Sequence, residues 1–286
     1  MGLAGALLEG GKPQEAEGYL RAALALRPDS AAAHPNLGVA LVRQGKAAEA
    51  EKNCRQAVAL DPMDAQAHAN LGWVLEGQGK LAEALALYRK ALDLDPRGAW
   101  ALKRLPQVER IAAIEAKLPA FLKGDFRPQS NDERLALAEL CKLKHLHRAS
   151  AGLYADVFAA DSRLAGDLKA GHRYDAACFA ALAAAGKGED ATTLDDKEKG
   201  RLRNQALTWL QADLAIQAKL VQGGKPADRA EVQAKIRHWQ KDPDLAGVRD
   251  PEALAELPEA ERLEWQRFWK EVEALRAKAK AEKQNK

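Results

Sequence analysis

The chain has 286 residues, of which 47% are hydrophobic and only 5% aromatic. This composition indicates a core built of alanine and leucine, which have the highest helix propensities, and it predicts an all-α protein. The 44 lysine and arginine residues nearly balance the 41 aspartate and glutamate residues. The net charge of +3 is too small to mark a nucleic-acid-binding surface, so we expect no nucleic-acid partner.

The lack of recognisable targeting signals and the spacing of the cysteines together indicate where the protein resides in the cell. Residues 1–11 contain neither a basic segment nor a long apolar run, which argues against a signal peptide. No segment approaches the roughly 20 apolar residues of a membrane span. The cysteines at 54, 141 and 178 lie far apart and form no CxxC pair. These features predict a cytoplasmic protein with no membrane partner.

One set of residues has partial metal-ligand spacing. Cys141 and His145 lie four residues apart on a helical face, and His147 follows closely. A structural zinc site needs four ligands, and nothing is spaced to complete this set. We therefore favour a packed cysteine beside a surface histidine, and we expect no metal and no cofactor.

The strongest signal is an internal repeat, because Pro28, Pro62 and Pro96 stand 34 residues apart. A period of about 34 residues is typical of a two-helix solenoid unit. Small residues at Gly38 and Ala50 predict a close approach of the two helices. Other landmarks keep the same register: Gly11, Gly45 and Gly79; Ala16, Ala50 and Ala84; Ala23, Ala57 and Ala91; Asn36, Leu37 and Gly38 against Asn70, Leu71 and Gly72.

These positions resemble the tetratricopeptide repeat, through Leu37, Gly38, Leu41, Ala50, Ala57 and Pro62 in one copy and Leu71, Gly72, Leu75, Ala84, Tyr88, Ala91 and Pro96 in the next. The resemblance covers residues 1–98 and implies a right-handed α-α superhelix of helical hairpins. The chain departs from the usual pattern at Cys54, which replaces an aromatic residue, and at His34 and His68, where tryptophan is common. The first copy begins inside its first helix at Met1, so we expect a truncated repeat and further sequence upstream.

Beyond residue 98 the exact period fails. We expect four further segments: capping helices in 99–123, a linker in 124–132, degenerate tetratricopeptide-like helical pairs in 133–222, and a C-terminal helical extension in 223–286. Within the first of these, Pro106 is expected to break or kink a helix, because proline lacks the N–H group that a helix interior requires.

The last helix of the extension carries a large apolar stripe. Trp265, Phe268, Trp269 and Val272 occupy positions on one helical face. We interpret this stripe as docking on the body of the protein, with a partner-binding stripe as the alternative. The lysine-rich residues 276–286 lack apolar periodicity and are expected to be frayed and solvated.

Three stretches of the second half carry a further resemblance: Gly171–Leu182, Gln205–Leu214, and Asp242–Arg249 followed by Leu257, Pro258 and Glu259. They look similar to the helical region that follows tetratricopeptide repeats at the C-termini of some bacterial, eukaryote-like Ser/Thr protein kinases. The resemblance implies a kinase-associated helper region with no catalysis of its own.

Motifs for catalysis are missing from the sequence. A kinase requires a glycine-rich loop, a strand-borne lysine, an HRD loop and a DFG motif. The chain contains none of these, and it has neither a P-loop nor a GxSxG motif. We therefore expect a protein that is not an enzyme.

A binding surface is the better prediction, since stacked hairpins form a concave groove lined by the first helix of each unit. The expected groove residues are Asn36 and Val39 in one repeat and Asn70 and Trp73 in the next. In tetratricopeptide repeat proteins the matching asparagine often bonds the backbone of an extended peptide, although both asparagines can also simply favour the repeat geometry. Lys103 and Arg104 could attract an acidic or C-terminal carboxylate group. However, Pro35 and Ala69 stand where a carboxylate clamp would need basic residues.

The leading hypothesis is a noncatalytic scaffold that binds a protein or peptide segment in this groove. The alternative is the C-terminal regulatory or substrate-recruiting region of a bacterial Ser/Thr kinase whose catalytic domain lies outside this chain. The sequence predicts neither the partner nor the oligomeric state.

Overall fold

The computed structural model describes residues 3–223 and 225–281. Throughout these residues the regular structure is helical, with no β-strand, so the all-α prediction is confirmed. The start of the first repeat at Met1 and the end of the lysine-rich tail lie outside the described residues. The chain divides into two compact units, residues 1–120 and residues 121–286.

The helices follow one another with short connections. They are α1 Leu3–Glu9, α2 Pro13–Leu26, α3 Ala33–Val42, α4 Ala47–Leu60, α5 Ala65–Gly77, α6 Leu81–Leu94, α7 Ala99–Glu115, α8 Leu118–Lys123, α9 Asn131–Leu143, α10 His147–Ala160, α11 Ser162–Gly166, α12 His172–Ala184, α13 Asp196–Gln222, α14 Pro226–Trp239, a 3-10 helix Pro243–Val248, α15 Pro251–Ala255 and α16 Glu259–Ala281. Pro106 lies inside α7 and does not end it, which corrects the expectation of a break there.

The first unit consists of three hairpins, α1 with α2, α3 with α4 and α5 with α6, followed by α7. Close contact between the two helices of a hairpin depends on small residues. A Cβ atom on Gly38 would collide with the Cys54 Sγ atom, and one on Gly72 would lie 3.1 Å from the Tyr88 ring. The second and third hairpins therefore each pack a glycine on the first helix against a larger residue on the second helix.

His34 and His68, which stand where tryptophan is common in the repeat, form hydrogen bonds with the loop that contains the repeat proline. His34 Nε2 lies 2.8 Å from the carbonyl oxygen of Pro28, and His68 Nε2 lies 2.9 Å from that of Pro62. A carbonyl oxygen can only accept a hydrogen bond, so the Nε2 atom of each ring carries the proton. These bonds link the first turns of α3 and α5 to the loops that precede them.

Both units use the same helix-ending turn. The amide of Lys46 donates to Leu41 O at 2.9 Å across Gly45, whose φ is 75°, and the amide of Leu146 donates to Cys141 O at 2.8 Å. In the second turn the left-handed position is occupied by His145, with φ of 54°. A left-handed conformation is strained for a residue with a Cβ atom, so His145 replaces the glycine at a cost in stability.

Replacing His145 with glycine is therefore expected to raise the free energy of unfolding by about 0.5 to 1 kcal/mol. Chemical denaturation followed by circular dichroism measures the change. The matched control is Gly45→Ala, which should lower stability by about 1 kcal/mol through φ alone, since a Cβ atom at Gly45 meets nothing within 4 Å. A loss of stability in His145→Gly would contradict this account of the turn.

The second unit is built around α12. All nine residues of the run 176–184 in this helix are buried. The helix packs against α10, α13 and the 3-10 helix. Because six of these nine residues are alanine, neighbouring elements can approach α12 closely from several sides.

The C-terminal helix α16 docks on α13 and α14, which confirms the docking interpretation of its apolar stripe. Trp265 and Phe268 are each 1% exposed and Val272 is fully buried. The Trp269 indole donates a hydrogen bond of 2.7 Å to Val248 O. The expectation of fraying from residue 276 is wrong for the described residues up to 281, because Ala279 is buried and its carbonyl accepts a bond from Gln233.

Removing the anchor of this helix should destabilise the second unit strongly. Trp265→Ala is expected to cost about 3 to 5 kcal/mol, since it deletes the largest fully buried side chain and leaves a cavity. Leu263→Ala on the same helix, where the side chain is 51% exposed, should change stability by less than about 0.5 kcal/mol. Equal losses in the two variants, measured by thermal and urea unfolding, would argue against docking through this stripe.

Among the described residues, no helix combines the length and the apolar character needed to cross a membrane.

Candidate binding site

The first helices of successive hairpins lie next to one another. Helix α1 packs on α3, α3 on α5, and α5 on α7, whereas the second helices α2, α4 and α6 show no comparable packing on each other. Such an arrangement places the odd-numbered helices on the inner side of the array. We call this surface the inner face and define it by these residues: Asn36 and Val39 on α3, Gln66, Asn70 and Trp73 on α5, and Trp100 and Lys103 on α7.

Two tryptophans meet on the inner face. The rings of Trp73 and Trp100 pack edge to face, with centroids 6.3 Å apart and an angle of 88° between the planes. Trp73 is half-buried, while Trp100 remains 42% exposed. An aromatic pair left partly in water at a concave surface is the kind of feature on which binding energy concentrates.

The two asparagines make only local hydrogen bonds. Asn36, which is exposed, donates through Nδ2 to Ala32 O at 2.8 Å, and Asn70, half-buried, accepts through Oδ1 from Gln66 Nε2 at 2.8 Å. Among the hydrogen bonds of the described residues, none engages Asn36 Oδ1 or Asn70 Nδ2. Each asparagine therefore retains a polar atom available to a ligand.

Arg104 occupies the same repeat position as the asparagines but is already paired. It contacts both carboxylate oxygens of Glu76, which is 5% exposed, and it donates to Gln107 at 2.6 Å. Glu76 also accepts a 2.7 Å hydrogen bond from the hydroxyl of Tyr88. Burial and the Glu76 carboxylate raise the pKa of Tyr88, and although burial alone would lower the pKa of Arg104, the Glu76 pair raises it. This triad joins α5, α6 and α7.

Val39 and Lys103 are the remaining positions that the sequence predicts for this surface. Val39 is half-buried on α3, and Lys103 is exposed on α7. With Arg104 held by Glu76, Lys103 is the cation that remains among the six residues expected from the sequence. The sequence predicts that Lys103 and Arg104 together attract a ligand carboxylate. Such a carboxylate would have to compete with Glu76 for Arg104.

Sequence reasoning missed Trp100 and Gln66 as members of the inner face. The signal was present in the repeat period, because Trp100 stands 34 residues after Gln66 and shares its position in the unit. The exact period ends at Pro96, so the sequence alone predicts only a capping helix in the segment that forms α7. Its packing on α5 makes it a further inner helix.

The thiols of Cys54 and Cys141 show no sign of reactivity. All three cysteines are buried and free, and burial raises the pKa of Cys54 and of Cys141 to about 12. A thiol with such a pKa is a poor nucleophile at neutral pH. Within the described part of the chain, the atoms of Cys141, His145 and His147 do not converge as a set of metal ligands.

Removing the shared carboxylate should destabilise the first unit. Glu76→Ala is expected to cost about 3 kcal/mol, because it leaves the partly buried Arg104 without its partner and Tyr88 without its acceptor. Glu83→Ala is the control, since Glu83 pairs with Arg55 at an exposed position and should contribute less than about 1 kcal/mol. Urea unfolding of both variants measures the difference, and a loss no greater than that of the control would show that the triad is not a structural element.

The comparisons with known proteins support the repeat interpretation. Residues 1–62 and 36–99 match the tetratricopeptide repeat family model, which confirms repeats of this kind in the first third of the chain. No relative was found among curated proteins.

Several solved structures are similar to parts of the chain. The first tetratricopeptide repeat domain of Spaghetti (RPAP3) bound to the HSP90 peptide SRMEEVD is 27% identical, over 38% of this chain and 87% of that one, with a TM-score of 0.37. The second such domain of human RPAP3, in complex with the HSP70 peptide SGPTIEEVD, is 28% identical over 37% and 88%, with a TM-score of 0.35. Pseudomonas aeruginosa pilF is 22% identical over 82% and 94%, with a TM-score of 0.38.

Proposed function

We propose that the first unit is a noncatalytic scaffold that binds an extended segment of another protein on the inner face. The observation that carries this proposal is the partly exposed pair of Trp73 and Trp100 on adjacent inner helices. The match of residues 1–99 to a repeat family whose members serve protein recognition supports it.

The aromatic pair supplies an anchor for an apolar or proline side chain. Tryptophan buries a large area at small entropic cost, which makes it a frequent centre of binding energy. Val39 extends the apolar surface onto the preceding inner helix. A ligand that crosses the inner face would thus meet apolar contacts on α3, α5 and α7.

The asparagines provide hydrogen bonds along the same path. Neighbouring packed helices lie about 8 to 10 Å apart, and an extended chain advances about 3.3 Å per residue. Asn36 and Asn70 would therefore reach backbone groups roughly three residues apart. Backbone hydrogen bonds would orient the ligand and leave its sequence to be selected mainly by the tryptophan pair.

The charges on the inner face argue against an acidic tail as the preferred ligand. Arg104 is neutralised by Glu76, and the equivalent positions in the earlier repeats are the uncharged Asn36 and Asn70. Lys103 alone adds a single exposed charge. We therefore expect binding that depends weakly on salt, since few ion pairs would form.

The proposal is tested with peptides selected from a displayed random library against the full chain, with affinities then measured by fluorescence anisotropy. Trp73→Ala with Trp100→Ala should weaken binding at least 30-fold, because a buried anchor is worth about 2 kcal/mol or more. Asn36→Ala with Asn70→Ala should weaken it about 10-fold. A triple variant that carries Asn36→Ala, Asn70→Ala and Trp73→Ala tests whether the two effects combine.

The control carries Lys52→Ala, Arg55→Ala and Arg89→Ala, which change exposed residues on the outer helices α4 and α6. It should bind within twofold of the wild type. Failure to select any peptide, or equal losses in the inner-face and outer-helix variants with helical content unchanged, would overturn the proposal.

The second expectation, a regulatory region of a Ser/Thr kinase, is tested by nothing in the fold and stays a prediction. The cytoplasmic location likewise stays a prediction.

A further inference from the structure

A cluster of metal-ligating side chains lies in the second unit, away from the inner face. The Sγ atom of Cys178 and carboxylate oxygens of Asp242 and Asp244 all lie within 4.8 Å of one another. Cys178 belongs to the buried helix α12, and the two aspartates flank the start of the 3-10 helix that packs on it. We call these three residues the thiol–carboxylate cluster.

Further donors surround this cluster. His238 Nε2 lies 3.1 Å from Asp242 Oδ2, and the Tyr174 hydroxyl donates to the same oxygen at 2.7 Å. Tyr174 is in turn stacked on Trp239, with ring centroids 5.4 Å apart and planes at 10°. An oriented carboxylate thus stands beside the thiol, and an imidazole contacts that carboxylate.

The backbone that carries the aspartates is firmly held. The amide of Asp244 donates to Asp242 Oδ1 at 2.9 Å, and the guanidinium group of Arg249 donates to the carbonyl oxygen of Asp242 at 2.6 Å. A turn fixed in this way presents its two carboxylates in one geometry. Such preorganisation reduces the entropy lost when a ligand binds.

The carboxylates of Asp242 and Asp244 lie close together, and Asp242 is paired with His238. The carboxylate of Asp244 is half-buried, and within residues 3–223 and 225–281 no hydrogen bond or ion pair to it is formed. A bound cation would offset the charge of two carboxylates that lie this close together.

We propose that the thiol–carboxylate cluster binds a zinc ion through Cys178, Asp242 and Asp244, with His238 as the fourth ligand. The thiolate selects a borderline metal over magnesium or calcium, which prefer oxygen ligands alone. On binding, the Cys178 thiol and any protonated carboxylate release their protons to solvent.

For Cys178, Asp242 and Asp244 the geometry requires only small side-chain movements. Tetrahedral zinc with bonds of about 2.0 to 2.3 Å places its ligand atoms roughly 3.5 Å apart, so the cluster contracts by about 1 Å. The His238 side chain, which is 63% exposed, would turn from Asp242 toward the ion. Tyr174 keeps its hydrogen bond to Asp242 and orients that ligand from outside the metal shell.

Zinc would join α12 to the end of α14 and to the 3-10 helix. Since these elements come from separate parts of the second unit, an ion bound only by the folded chain stabilises it by mass action. Zinc is therefore expected to raise the midpoint of thermal unfolding.

The test is a zinc titration of the full, metal-free chain in competition with a chromophoric chelator. The wild type should bind one zinc ion, and cobalt in its place should show thiolate-to-metal charge-transfer absorption. Cys178→Ser and Asp244→Asn should each weaken zinc binding at least 10-fold and abolish the thermal shift. In Cys178→Ser the charge-transfer band should disappear.

The control is Cys141→Ser, which alters another buried thiol, on α9 and outside the cluster. It should bind zinc as the wild type does. If Cys178→Ser fails to fold, Asp244→Asn and His238→Ala decide the question, because both change side chains that are not fully buried. No zinc binding by the wild type, or equal binding by folded Asp244→Asn and His238→Ala, would overturn the proposal.

Discussion

The close approach of paired helices is the constraint on which the rest of the first unit depends. Gly38 leaves room for Cys54 and Gly72 for the ring of Tyr88, so the two helices of the second and third hairpins lie nearly in contact. With hairpins this tight, the first helix of one unit can pack on the first helix of the next. That packing creates the inner face and brings Trp73 to Trp100, which a looser hairpin would leave apart.

The second unit meets the same requirement with different residues. Its first hairpin repeats the turn of the array, although His145 takes the position of a glycine and accepts a left-handed φ. Its central helix α12 uses alanine on several sides instead of glycine on one. Elements can therefore pack around α12 from several directions, which allows the 3-10 helix to carry Asp242 and Asp244 up to Cys178. The thiol–carboxylate cluster is thus a consequence of small-residue packing, as is the inner face of the first unit.

Much of the fold and part of the candidate site could be predicted from the sequence. The proline period and the Asn-Leu-Gly landmarks placed the hairpins, because residues at a fixed spacing must meet the same neighbours in every unit. The same period relates Trp100 to Gln66, although the proline and glycine landmarks of the repeat end before Trp100. The pairing of Arg104 could not be found this way. Its partner Glu76 lies on another helix, and a repeat pattern does not reveal which of two equivalent positions holds a buried carboxylate.

The sequence by itself determined the all-α class, the register of the repeats and the stripe that docks α16, since each follows from local periodicity. Tertiary structure alone decided that α7 continues through Pro106, that Arg104 is neutralised, and that Ala279 is buried near the end of the described chain. It also decided that Cys178 meets two aspartates more than 60 residues away. The physical reason is the same in each case. These outcomes depend on contacts between elements distant in sequence, and local patterns carry no information about which distant group fills the space beside a residue.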